Sequence, residues 1–265
     1  MTDPFSQIAK NFINDRYYRE YLRLLFLYGR VPRFQSREIK FLDYTIQVPD
    51  FLSFIYQFKE IFVKQYYRFP AASKTPVIYD CGSNIGVSLL FYKTTYAHPK
   101  IKAFEADKKL AGLLSENLRI NGITDIEVFP KAVWVNNDGV EFYSDVADAG
   151  TIYGEGNKMM VDTIRLKDLI ENEESVDFLK LDVEGAEAEI ISDMGNRLNK
   201  IKNLFIEYHS FISRRQELDK ILQILSDNSF RYFINSVYDK KIPFENRMNS
   251  QNPMMDLQLN IFAYK

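Results

Sequence analysis

Cysteine occurs once in the 265 residues, at Cys81. A single thiol cannot close an intrachain disulfide, and it excludes a zinc site built from clustered cysteines. Histidine is nearly as scarce, with only His98 and His209. An excess of one charge is missing too: 34 Lys and Arg face 36 Asp and Glu, leaving −2. That balance gives no global attraction for phosphate backbones, so no nucleic-acid partner is expected. No apolar run reaches the roughly 18–20 residues that cross a bilayer. Residues 1–10 lack the charged-then-apolar pattern of a secretion signal. A cytoplasmic location follows as the expectation. Repeats and low-complexity tracts are absent as well.

What is abundant is apolar and aromatic. Hydrophobic residues make up 46% of the chain, with 17 Tyr and 21 Phe. A large aromatic core is the first reading, and an aromatic-lined pocket for a sugar or another bulky substrate is the sharper one.

The chain divides near residue 75. Residues 1–74 read as a helical extension, expected to cap a substrate or to mediate dimerisation. Residues 5–28 have helical spacing, with Gly29 and Pro32 ending the run. Arg16, Arg19, Arg23 and Arg30 share one helix face. That face is either solvated or a contact for anionic lipid headgroups or a phosphorylated carrier. Residues 40–48 have strand character, 51–67 read as a second amphipathic helix, and 71–76 as a linker.

From Val77 onward strands and helices alternate. Strands are expected at 77–81, 101–105, 126–135, 176–181 and 203–208, with two more at 230–237 and 257–264. Helices are expected at 85–96, 108–121, from about 185, and at 218–228. Short extra strands at 140–143 and 159–164 flank a Gly-rich loop at 150–156. Such alternation implies an α/β fold, a mainly parallel seven-stranded sheet with helices on both faces.

Ligands of such sheets bind beyond the carboxyl ends of the strands. There the first strand runs into Asp80-Cys81-Gly82-Ser83-Asn84-Ile85-Gly86. Gly82 and Gly86 permit a tight turn and close backbone approach. The following helix offers unpaired N–H groups. Asp80 stands where a dinucleotide site usually has glycine, which suits a ligand with an amino group and a sulfonium better than a pyrophosphate. Glu105, ending the second strand nineteen residues after Gly86, can accept both hydroxyl hydrogen bonds of a ribose. Nicotinamide and S-adenosylmethionine (SAM) sites share that feature.

Further along, Phe178-Leu179-Lys180-Leu181-Asp182-Val183-Glu184-Gly185-Ala186-Glu187 places three carboxylates at one strand end. Glu184 and Glu187 are explained by a helix N-terminus, which favours negative charge. Asp182 opens onto the crevice. His209 follows the fifth strand and shares a side with Glu207, whereas His98 falls at the far end of the sheet. Asp182, Glu207 and His209 therefore read as an acid/base cluster or a weak divalent-metal site.

Four strings in order, Asp80 to Gly86, Ala103-Phe104-Glu105-Ala106-Asp107, Glu116-Asn117-Leu118-Arg119-Ile120-Asn121-Gly122 and Phe178 to Glu187, resemble the FkbM family of methyltransferases. The resemblance spans about residues 75–210. It implies the class I (Rossmann-like) methyltransferase fold, SAM as methyl donor, and O-methylation of a hydroxyl on a sugar or natural product. Carried over by residue, it implies a cofactor site of Asp80, Gly82, Ser83, Asn84, Gly86 and Glu105. Ala106 joins the cofactor site, Lys131 and Ala132 are placed near the adenine, and Asp182 at the crevice. His209 is the first candidate for the general base, because its ordinary pKa lies near neutrality. Asp182 is the second, with Glu207 beside them. A nicotinamide-dependent oxidoreductase is the competing reading, opposed by the lack of Gly-x-Gly-x-x-Gly after the first strand. A non-catalytic SAM-binding protein is another, opposed by the crevice carboxylates. A nucleic-acid methyltransferase is disfavoured because no Asp-Pro-Pro-Tyr-like motif is present.

Overall fold

The structure is a computed structural model that describes residues 14–144, 157–238, 240–249 and 252–265. The Gly-rich loop at 150–156 and the first part of the expected N-terminal helix lie outside these residues.

Asp15 starts the first helix that lies wholly within the described residues, α1 (Arg16–Tyr28), its carboxylate accepting from the Tyr17 and Tyr18 N–H groups. Of the four arginines expected on one face, Arg23 is paired with Glu20 at 2.6 Å and also donates to the Lys40 carbonyl. Arg30 lies beyond the Gly29 cap. The expected single strand at 40–48 is instead a hairpin, β1 (Arg37–Phe41) and β2 (Tyr44–Val48). Leu42 reverses the chain with a φ of 49°. The turn Leu42-Asp43 carries no Gly, Pro or Asn, so little marks it in the sequence. Asp50 caps α2 (Phe51–Phe58), and a π-helical turn (Lys59–Val63) follows. The helix thus stops short of residue 67.

The extension shares a core with the rest of the chain. Phe58 stacks on Phe62 at 4.9 Å, and Phe62 meets Phe91 edge-on at 5.3 Å. The free backbone of β2 is held by two asparagines. Gln47 N–H donates to Asn117 Oδ1, and Asn121 both accepts from Thr45 N–H and donates to its carbonyl. Those pairings satisfy an edge that would otherwise lack partners.

The sheet begins with β3 (Val77–Cys81), followed by α3 (Val87–Thr95), β4 (Lys100–Phe104), α4 (Lys108–Ile120) and β5 (Ile126–Phe129). The expected third strand breaks at Pro130, which has no N–H to give a ladder. The chain then forms β6 (Ala132–Trp134), which pairs with β9 (Thr163–Arg165) outside the main sheet. Between them, β7 (Val140–Ser144) and β8 (Asn157–Val161) form a hairpin. Next come α5 (Leu166–Glu171), β10 (Val176–Leu181), α6 (Glu187–Met194), a 3-10 turn (Gly195–Lys200) and β11 (Ile201–Phe211). The chain closes with α7 (Leu218–Asp227), β12 (Arg231–Ser236) and β13 (Met255–Tyr264).

The seven strands lie in the order β12-β13-β11-β10-β3-β4-β5. All neighbours are parallel except β13, which runs antiparallel between β11 and β12. This is the class I methyltransferase architecture expected from the sequence. Side chains alternate between two cores. Ile78, Phe178 and Phe205 face α3, α4 and the extension, while Tyr79, Leu179 and Ile206 face α5, α6 and α7.

Candidate active site

Strands β3 and β10 are in register, Asp80 opposite Lys180 and Cys81 opposite Leu181. Their carboxyl ends therefore open at one level. Gly82 turns there with a φ of 83°, and a Cβ on it would sit 1.9 Å from the Asp182 carbonyl oxygen. Only glycine fits so close an approach. Gly86, with a φ of 91°, caps α3. Gly82, Ser83 and Asn84 face a cavity of about 690 Å³, while Gly86 stands behind it. Asp80 does not face the cavity at all: it is fully buried beneath the loop. The direct ligand contact expected of it is replaced by support. It accepts from Ser83 Oγ at 3.1 Å and pairs with Lys180 at 3.7 Å.

Lys180 is a residue that sequence reasoning missed. Its Nζ donates to the Gly82 carbonyl at 2.6 Å, and lies 3.1 Å from Asp182 Oδ2. Burial opposes its charge, but Asp182 and Asp80 outweigh burial and hold its pKa above the ordinary value. One ammonium thus ties the cofactor loop to the crevice carboxylate. The available signal was a lone lysine in the otherwise apolar run from Phe178 to Leu181.

Glu105 ends β4 at the cavity wall. It accepts from Asn84 N–H at 2.8 Å and from Asp107 N–H at 2.9 Å. Burial pushes its pKa up to about 7. Ala106, Lys131 and Ala132 line the same end of the cavity, with Leu110 and Trp134. A carboxylate beside an apolar slot fits a ribose with its adenine. The donor set fits SAM, and the cavity volume falls within the usual range of small-molecule sites.

The other end is acidic. Asp182, Glu184 and Glu207 line it, joined by Gln258 and, from the extension, Tyr56 and Glu60. Asp182, Glu207 and His209 come together as the sequence expects, their ligating atoms within 4.8 Å of one another. His209 is buried and does not face the cavity. Its Nδ1 lies 3.0 Å from Glu187 Oε1. Glu187, expected to serve only the helix dipole, is fully buried and also accepts from Val183 and Gly185 N–H. Burial opposes a charge on His209, yet Glu184, Glu187 and Glu207 outweigh it and hold its pKa well above the usual value. His98 is an exposed loop residue, as expected.

A family model described as the methyltransferase FkbM domain matches residues 80–232, more than half of the chain. This chain belongs to the FkbM methyltransferase family. Methyltransferase sdnD of Sordaria araneosa is 26% identical over 208 residues, covering 64% of this chain and 80% of that protein. Methyltransferase 1 of Beauveria bassiana (strain ARSEF 2860) is 24% identical over 176 residues, covering 56% of this chain and 71% of its own. A SAM dependent methyltransferase from Agrobacterium tumefaciens matches with a TM-score of 0.50 at 10% identity, over 89% of this chain and 72% of the other. That likeness speaks for the fold alone. Membership in the FkbM family makes the chain a SAM-dependent methyltransferase and sets aside the nicotinamide reading. Among the described residues, no helix of this FkbM-family member is long and apolar enough to cross a membrane.

Proposed function

We propose that this methyltransferase acts on a hydroxyl oxygen of a sugar or natural-product acceptor. The observation that carries the reading is a single cavity lined by Glu105 and, further along, by the carboxylates of Asp182 and Glu207. Glu105 accepts the ribose hydroxyls, Gly82 to Asn84 cradle the rest of SAM, and Ala106, Lys131 and Ala132 flank its base. Bound SAM supplies an electrophilic methyl group. Asp182 orients the acceptor O–H and takes its proton as the new bond forms. Lys180 Nζ, 3.1 Å from Asp182 Oδ2, holds that carboxylate in place. Tyr56, Gln57 and Glu60 wall the acceptor end, so the extension contributes to acceptor choice.

Incubation with methyl-labelled SAM and a panel of polyhydroxylated acceptors tests this. The expected product is a methyl ether, located by mass spectrometry. Label found only on nitrogen or carbon would overturn the choice of hydroxyl.

A further inference from the structure

We propose that Asp182, Glu184, Glu207 and His209 hold one divalent cation at the acceptor end of the cavity. This deepens the O-methyl-transfer reading and rests on it for the acceptor. The cation site itself stands on geometry.

His209 is built as a ligand. Its Nδ1 is committed to Glu187, whose fully buried carboxylate is fixed by two backbone N–H groups. A carboxylate on one ring nitrogen, leaving the other to point at carboxylates, is the usual support of a metal-binding histidine. Here the other nitrogen, Nε2, lies 3.5 Å from Glu184 Oε2 and 3.8 Å from Glu207 Oε1. Two ligands at about 2.1 Å from one ion can lie no more than about 4.2 Å apart, so both spacings suit a shared cation. The wider Asp182, Glu207 and His209 set, within 4.8 Å, needs a contraction of about 0.6 Å to reach that limit.

Charge points the same way. Four carboxylates, Asp182, Glu184, Glu187 and Glu207, gather around His209 and Lys180. Carboxylate oxygens converging on one point suit a hard cation. The Gln258 amide now bridges the gap, with its Nε2 2.5 Å from Glu207 Oε1 and 3.2 Å from His209 Nε2. Turned over, it presents an oxygen to the ion. One nitrogen and several oxygens suit a hard-to-borderline ion such as Mn2+ or Mg2+. The cation would hold the acceptor oxygen beside Asp182 and lower its pKa.

Titration of the full chain with MnCl2, read by the six-line resonance of free Mn2+, tests the site without any turnover. One Mn2+ should be taken up per chain. Glu207→Gln should weaken uptake, and Glu187→Gln, which disturbs only the support of His209, should weaken it by roughly 10–100-fold. Circular dichroism and SAM titration of both variants check that they remain folded. Undiminished free Mn2+ at millimolar concentration, or equal uptake by folded Glu207→Gln, would overturn the site. SAM binding by the same samples is measured separately, so a failed cation site leaves the methyltransferase reading distinguishable.

Discussion

Lys180 Nζ lies 2.6 Å from the carbonyl oxygen of Gly82, so a buried ammonium on β10 holds the loop that leaves β3. The same ammonium faces Asp80 and Asp182. Lys180→Met strands the buried Asp80 carboxylate. Losing one partner of a buried ion pair costs roughly 3–5 kcal/mol, and a stability loss of that order is expected. Urea unfolding monitored by circular dichroism measures it. A variant as stable as wild type would show that Lys180 does not neutralise Asp80.

Gly82→Ala is expected to damage both stability and SAM binding. The added methyl would meet the Asp182 carbonyl at 1.9 Å, and the φ of 83° disfavours any side chain. The loss should exceed the ~1 kcal/mol that a Gly-to-Ala change gains at a compatible position. Paired urea and SAM titrations give the two numbers. Gly112→Ala, where nothing lies within 4 Å, is the matched control.

SAM affinity should depend on pH through Glu105. Burial pushes its pKa up to about 7, so it binds a proton as pH falls through neutrality. A protonated carboxyl has less capacity to accept from two ribose hydroxyls. Affinity should hold above pH 7 and fall below it, approaching about tenfold per pH unit if only the ionised form binds. Calorimetry between pH 5.5 and 8 reads the profile. Glu105→Gln should bind more weakly at high pH and lose this slope. An unchanged slope in that variant would assign the titration to another group.

Glu187→Ala should cost turnover more than SAM binding. Glu187 holds His209 at 3.0 Å from the far side of the cluster and does not line the cavity. Steady-state kinetics should show kcat falling with KM for SAM little changed. A rise in that KM alone would mean that Glu187 serves the cofactor end.

The parts of this molecule legible in sequence are those governed by local pattern. Strands 77–81 and 176–181 have short apolar runs bounded by turn residues, and both appear as read. Gly82 and Glu105 announce themselves by spacing from a strand end. Less visible were features that depend on distant partners. Lys180 gains its meaning only when β10 lies against β3. Glu187 reads as a helix-start charge until β11 brings His209 onto it. The break at Pro130 and the turn at Leu42 interrupt patterns that look continuous along the chain. Asp80 lies at the expected loop but is sealed beneath it, since sequence does not reveal which side of a strand end is closed.

Titration with SAM of the wild-type chain and Glu105→Ala tests the account most directly. A carboxylate that accepts two ribose hydroxyls contributes charged hydrogen bonds of roughly 1.5–3 kcal/mol each. Wild type should bind one SAM per chain, and Glu105→Ala should bind at least tenfold more weakly while remaining folded. Equal affinity in the two proteins, or no binding by wild type, would contradict the placement of SAM in this cavity.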